Sequence, residues 1–511
     1  MRVLSTPLLV LLVAANVLAA TYHLEPDGTG DFPTIQAALD ASVDHDIVEL
    51  ADGTYTGAGN RNLVMDFSFV TLRSVSDDPN ACIIDCDGSV FAANRGLTLR
   101  DGANPAGGPV LRGFTVTRAY GSTHGAALLI ESDPFGGSAV EVVNCVFKGN
   151  GGAPDVAAVH IDVGYRPVRF TDCGIRENDF GGLLTVNYDT LTLLRCDLAF
   201  NDGRGFSKES LHETYLMTVT DSDFRGNGGD GFFTDYGGDV LIEQCAFTGN
   251  GGHGLYCHSA PNSTVEVLGC LSAYNDGKGV AVHRARLARL ETSTIARNGA
   301  QGVWIFDQYS TDDCEIDNTI IVENDSLAVE TVNSAGGVLA SCTDISGNVL
   351  GDWVGAMAGQ NGLDGNISAD PLFCDPDDGD FTLSEHSPCA PAQSGCGTMG
   401  AFGIFCSITS VEDPGFTIPS AFRVGPAVPN PFNPATAIAY EIPTAARVTV
   451  TIHDARGRRV RTLHDAEQGP GAHRVVWDGT GDDGGSLASG AYMCRIAWGG
   501  ESASRRLLLL K

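Results

Sequence analysis

Five ionisable or aromatic residues, Glu209, Asp235, His258, His283 and Phe306, each lie four residues past a glycine in successive stretches of this chain. Two residues past the same glycines come Ser207, Phe233, Tyr256, Ala281 and Trp304. On an extended strand both sets share one face, because side chains alternate. If the stretches stack as neighbouring strands, equivalent residues lie about 4.8 Å apart and form one ribbon. Two chemistries fit such a ribbon. Removal of the proton α to a uronate carboxylate needs a base (His258 or His283), an acid (Tyr256) and a cation held by Glu209 and Asp235. Cleavage of a glycosidic bond by hydrolysis needs two carboxyl groups about 5 to 9.5 Å apart, which Glu209 and Asp235 would supply. Phe233, Tyr256 and Trp304 would stack on sugar rings, whose C–H faces are apolar. Asp235 is expected to favour the imidazolium of His258, and His283 to oppose it. The same spacing also fits a solvated sheet face whose aromatics lie under the following turn.

The elements that would position this ribbon follow from a repeat. Asn150, Asn178, Asn201, Asn227, Asn250, Asn275, Asn298, Asn324 and Asn348 recur 23 to 28 residues apart, a period typical of solenoids. Five residues ahead of each stands a small residue: Cys145, Cys173, Cys196, Ser222, Cys245, Cys270, Ser293, Thr319 and Thr343. Two residues after that comes an apolar row that includes Phe147, Ile175, Leu198, Phe224 and Phe247. Ahead of the small residue the chain alternates, as in Val140-Glu141-Val142 and Val265-Glu266-Val267. After the asparagine come glycines, as in Gly228-Gly229-Asp230-Gly231, and both residue types tolerate a left-handed corner. Each repeat therefore reads as three short strands and their turns. An inward asparagine stacked on its neighbours satisfies its own amide, so the nine asparagines are expected to be structural.

With these registers the chain resembles the right-handed parallel β-helix family, the pectin-lyase-like superfamily, over about residues 21–405. The fold class expected is all-β: a right-handed parallel β-helix with three short strands per coil and an inward asparagine ladder, followed by a small Ig-like β-sandwich. The resemblance covers lyases, hydrolases, esterases, tailspikes and adhesins, so it fixes no chemistry. The outward set Glu141, Arg169, Thr192, Thr218, Leu241, Glu266 and Arg289 holds no aspartate cluster of the polygalacturonase type. Gly252-His253-Gly254 matches a short motif of those enzymes, but His253 shares its slot with Arg204, Asp230, Lys278 and Gln301 and reads as a turn residue. The opening residues 27–40 resemble those of pectin methylesterases, whose catalytic signatures are missing. Ile35, Ala38 and Leu39 at helical spacing would cap the first coil.

Residues 1–20 read as a signal peptide, with Arg2 ahead of an apolar run and small residues before a cut near Ala19 or Ala20. The chain is expected to be secreted or attached to the bacterial cell surface. It is acidic, with 63 Asp and Glu against 31 Lys and Arg, which argues against nucleic acid and anionic lipid as partners. Acidity is compatible with Ca²⁺ and with neutral glycans, whereas a polyanion would need a local basic patch or bridging cations. No cofactor is otherwise implied, and the Cys-x-x-Cys pairs common to zinc sites are missing. Of the 15 cysteines, those in the small-residue row read as packing, because Ser and Thr replace them. Disulfides are expected among Cys374, Cys389, Cys396 and Cys406, with Cys82 and Cys86 as another local pair.

Residues 406–420 read as a linker. Residues 421–511 carry short strands at 437–441, 448–453, 460–463, 472–477, 491–497 and 504–510, separated by Gly/Asp turns, which suggests a β-sandwich. Their Pro429-Asn430-Pro431-Phe432-Asn433-Pro434 start, Trp477-Asp478-Gly479 turn and Gly490-Ala491-Tyr492 step resemble the Ig-like domain of flagellar hook-capping proteins and type IX secretion sorting domains. That resemblance implies sorting through secretion machinery or tethering at the outer membrane. Taken together, the expectation is a β-helix that binds, and by one reading cleaves as a lyase or hydrolase, extracellular polysaccharide. The alternative is a non-catalytic adhesin or structural surface protein that contacts a protein partner.

Overall fold

The computed structural model describes residues 19–406 and 422–509, except 67–68, 101–107, 122, 124, 132–138, 153–155, 165, 189, 210–215, 309–312, 429, 431, 433–435, 445, 455, 457, 469–470, 478, 483–484 and 486. The expected signal peptide and linker lie almost wholly outside the described residues. Two compact units divide near residue 407.

In the first unit successive repeats contribute strands to three parallel sheets, which hold 13, 12 and 11 strands among the described residues because the terminal repeats are incomplete. Strands in each sheet follow chain order, so each pairs with its equivalent in the next coil. Sheet 1 holds the alternating strands, such as Val140–Val143 and Leu216–Thr220; sheet 2 the short ones after the small residue, such as Asp223–Arg225; sheet 3 the post-glycine strands. The register runs Glu141, Arg169, Thr192, Thr218, Leu241, Glu266, Arg289, the outward set read from alternation. Their inward neighbours are buried in one continuous core, where Phe224 stacks on Phe247 at 5.0 Å.

The asparagine ladder is closed at every rung. Asn250 Nδ2 donates to Asn275 Oδ1 at 2.8 Å and to the Phe224 carbonyl at 2.9 Å. Asn275 Oδ1 also accepts the Asn250 backbone N–H at 3.1 Å, so the buried amides leave no group unpaired. The left-handed residue at this corner is not the asparagine or the glycines after it, as the sequence suggested. It is the residue just before: Gly226 and Gly249 at φ +62°, Tyr274 at φ +58°. The following glycines are small because coils stack tightly there; a Cβ on Gly228 would lie 2.1 Å from the Asp202 carbonyl oxygen.

The small-residue row is polar as well as small. Ser222 Oγ donates to the Thr220 carbonyl at 2.8 Å and accepts the Cys196 N–H at 3.0 Å. Cys270 Sγ repeats the pattern with Leu268 and Cys245. Volume alone would admit Ala; the paired bonds explain why the row uses Cys, Ser and Thr.

Helix Ile35–Ala41 covers the first coil with Ile35 and Ala38 buried, and Thr34 Oγ1 accepts the Ala37 N–H as its N-cap. At the far end lie two disulfides, Cys374–Cys406 and Cys342–Cys396. Cys396 therefore pairs with a residue outside the expected set. Cys389 is a free, buried thiol bonded to Asp344, and Cys82 and Cys86 are free because each fills its own place in the core.

The second unit pairs a three-stranded antiparallel sheet with a four-stranded one around Trp477, Ile438, Val450 and Ile496. All six expected strands are present, joined by a further one, Arg423–Val428, that pairs with Thr436–Ile442.

Candidate functional site

Sheet 3 carries the ribbon. Its strands Phe206–Glu209, Phe232–Gly237, Leu255–Ser259, Val280–His283 and Val303–Phe306 hold Ser207, Phe233, Tyr256, Ala281 and Trp304 in one register. Glu209 lies beside Asp235, and His258, His283 and Phe306 follow in line. Between Thr234 and Gly237 the register shifts by a bulge, with Tyr236 at φ +50°. Alternation has no signal for this bulge, which brings a further ring, Tyr236, to 4.5 Å from His258.

The histidines form a dry pair. His258 and His283 stack at 4.0 Å, 12% and 13% exposed. His258 Nδ1 donates to Asp235 Oδ1 at 2.6 Å, which leaves Nε2 buried with no hydrogen-bond partner. Burial holds the His258 imidazole below its ordinary range despite the raising pull of Asp235. Asp235 favours the imidazolium as expected, but desolvation, which the sequence does not show, outweighs the carboxylate. Burial, then His258 and Arg284, pushes His283 down to about 4. Tyr256 Oη lies 3.4 Å from His283 Nδ1.

The aromatics are half-buried, not open, and neighbouring side chains cover them. Phe233 stacks on Tyr256 at 5.2 Å, and His253 covers Tyr256 at 5.6 Å. The Arg204 guanidinium lies 3.7 Å over the Phe233 ring, and Lys278 Nζ 4.6 Å over Trp304. Trp304 stacks on Phe306 at 4.9 Å. Ser207 and Ala281, although on the outer side, are buried between larger neighbours. Glu209 and Asp235 are the open members, their side chains 58% and 45% exposed.

Beyond Glu209 the ribbon runs into a groove of about 520 Å³ lined by Phe180, Leu184, Asp202, Arg204, Ser207 and Glu209. Its floor is the stacked turn glycines Gly181, Gly203 and Gly229. Arg204, read from the sequence only as a corner residue, bonds Asp230 at 2.9 Å and lies 3.7 Å from Glu209. His253 is a turn residue as expected, with Nδ1 accepting the Lys278 N–H at 2.9 Å. Lys208 points into the core and is fully buried, donating to the Asp235 and Tyr236 carbonyls; burial lowers its amine to about 8. Its alternation with Phe206 was the available sequence signal. Among the described residues no group of three or more His, Cys, Asp or Glu is arranged to hold a metal ion.

Residues 210–367 match the family model of the right handed beta helix region, and residues 432–499 that of the FlgD Ig-like domain. The chain is a right-handed β-helix followed by an Ig-like domain. No curated protein matches the sequence. Among solved structures, the β-helix chain is similar to the bacteriophage CBA120 tailspike protein 3 at 14% identity and TM-score 0.43, over 61% of this chain and 48% of the tailspike. It thus spans about half of that protein. It is also similar to pectate lyase Pel9A at 14% identity and TM-score 0.44, over 76% of this chain and 96% of the lyase. The Azotobacter vinelandii mannuronan C-5 epimerase AlgE6 A-module aligns at 17% identity and TM-score 0.41, over 66% of this chain and 94% of that one. Among the described residues no helix is long and apolar enough to cross a membrane, which leaves β-barrels unaddressed.

Proposed function

We propose that the outer face of sheet 3 binds a polysaccharide chain laid along the coil axis. The observation that carries the reading is the file of half-exposed rings, Phe233, Tyr256 and Trp304, running into the groove beside Glu209. Rings fixed in one register by a parallel sheet lose little freedom on binding, and the part of each that Arg204, His253 and Lys278 leave exposed is apolar surface for a sugar to meet. Retention of the full chain on immobilised glycans, with Trp304→Ala and Tyr256→Ala as controls, tests it. Unchanged retention in both variants would remove the groove and favour the adhesin reading.

Cleavage is the second reading, and among its forms hydrolysis has the better support. Glu209 and Asp235 are open to a substrate, whereas the Nε2 atoms of both His258 and His283 are covered. A general base must reach the proton it takes. Product analysis of Glu209→Gln and Asp235→Asn against His258→Ala separates the two chemistries.

The proposed site of action is outside the cell. Residues 1–20 would direct export, and the Ig-like domain would sort the protein through secretion machinery or hold it at the bacterial surface.

A further inference from the structure

The charge around the groove narrows the class of glycan. Among the described residues, Asp202, Glu209, Asp230, Asp235, Asp307 and Glu330 border the ribbon and groove with carboxylates. Among the described residues, Arg204, Lys278 and Arg284 face them, and each is engaged. Arg204 is held by Asp230 and Glu209 while covering Phe233. Lys278 covers Trp304. Arg284 donates to Tyr236 Oη at 2.9 Å. Burial keeps the two stacked histidines below their ordinary range, so neither adds positive charge near neutral pH. Asp202 has Asp179 as a near neighbour, and burial and that carboxylate raise it.

A uronate chain needs an unengaged guanidinium or ammonium, or a bridging cation, for each carboxylate it brings to the surface. Among the described residues the cations on this face are already engaged by a carboxylate, a ring or a hydroxyl, and no group of three or more His, Cys, Asp or Glu is arranged for a metal. We infer that the sheet 3 groove selects an uncharged polysaccharide and rejects polyuronates. The inference rests on the glycan-binding reading above and adds the substrate class. Stacking on sugar C–H faces and hydrogen bonds from hydroxyls to Glu209 and Asp235 suit a neutral chain, which carboxylates do not repel.

Two polymers with one backbone test it: polygalacturonate and the same polymer fully methyl-esterified, beside alginate and neutral glucans, mannans and xylans. The full chain is measured on each by affinity electrophoresis, at low and at 0.5 M salt and with and without Ca²⁺. Retention by one or more uncharged polymers, unchanged by salt, with polygalacturonate and alginate at least tenfold weaker, is the expected result. Glu209→Gln and Asp202→Asn should each raise retention by polygalacturonate several-fold at low salt. Polyuronates retained as well as uncharged chains, with or without Ca²⁺, would overturn the inference while leaving glycan binding intact. Retention by no polymer would instead remove the glycan-binding reading and this one with it.

Discussion

Asp352 takes the place of a tenth asparagine beneath Asn348. Its Oδ1 accepts the Asn348 side-chain amide at 2.8 Å and the Asn348 backbone N–H at 2.9 Å, the two bonds that each earlier rung draws from the next asparagine. A ladder with a fixed direction must end on an acceptor, and Asp352 supplies it. Asp352→Ala should destabilise the β-helix by about 1–3 kcal/mol, the cost of leaving a buried polar group unpaired. Asp352→Asn keeps the oxygen and should cost less than half as much. Urea unfolding midpoints of the two variants, compared at constant slope, check this.

The small-residue row predicts a chemical preference. Ser222 makes two bonds through one hydroxyl, to the Thr220 carbonyl and from the Cys196 N–H. Ser222→Ala should cost about 1–2 kcal/mol, whereas Ser222→Cys should stay within about 0.5 kcal/mol. Equal stability of all three proteins would return the row to a question of volume.

His283 gives the fold an acid-sensitive point. Its imidazole is held at about 4, below the ordinary value near 6.5, by burial and the neighbouring His258. Above pH 6.5 both folded and unfolded chains carry it neutral, and it contributes no pH dependence. As pH falls from 6.5 towards 4 the unfolded chain takes up the proton first, so stability drops through that window. His283→Leu should flatten the fall in thermal midpoint between pH 7 and 4.5 relative to the parent chain. Parallel curves would place the acid sensitivity elsewhere.

For the groove, Trp304→Ala and Tyr256→Ala should each weaken glycan binding by about 1–2 kcal/mol, roughly five- to thirtyfold in Kd. If the protein cleaves its ligand by hydrolysis, Glu209→Gln or Asp235→Asn should abolish turnover with binding retained, and His258→Ala should not. Isothermal titration and reducing-end release measure the two effects independently.

Removal of residues 421–511 should leave the β-helix folded, because a solenoid is held by contacts between successive coils. Circular dichroism and an unchanged unfolding midpoint for the β-helix would show this. Cell fractionation should then find the truncated chain short of its normal compartment. Identical distribution of both forms would make the Ig-like domain a spacer.

Much of the fold was written along the chain because a solenoid repeats one local pattern. Alternation fixed which side of each strand faces inward, and the period placed Asn250 over Asn275 without any long-range information. The ribbon's register was legible for the same reason, from Ser207 to Trp304. Only the folded chain decided what no local pattern encodes. The bulge after Thr234 turns Tyr236 towards His258, since a slip between two strands depends on both. Charge states were equally out of reach: the sequence shows that Asp235 neighbours His258, but the imidazole's burial, which outweighs that carboxylate, comes from stacking with His283 and Tyr236. Cys342 and Cys396 meet across 54 residues, a pairing that the sequence leaves open because any two cysteines in a loop-rich cap satisfy the same spacing argument.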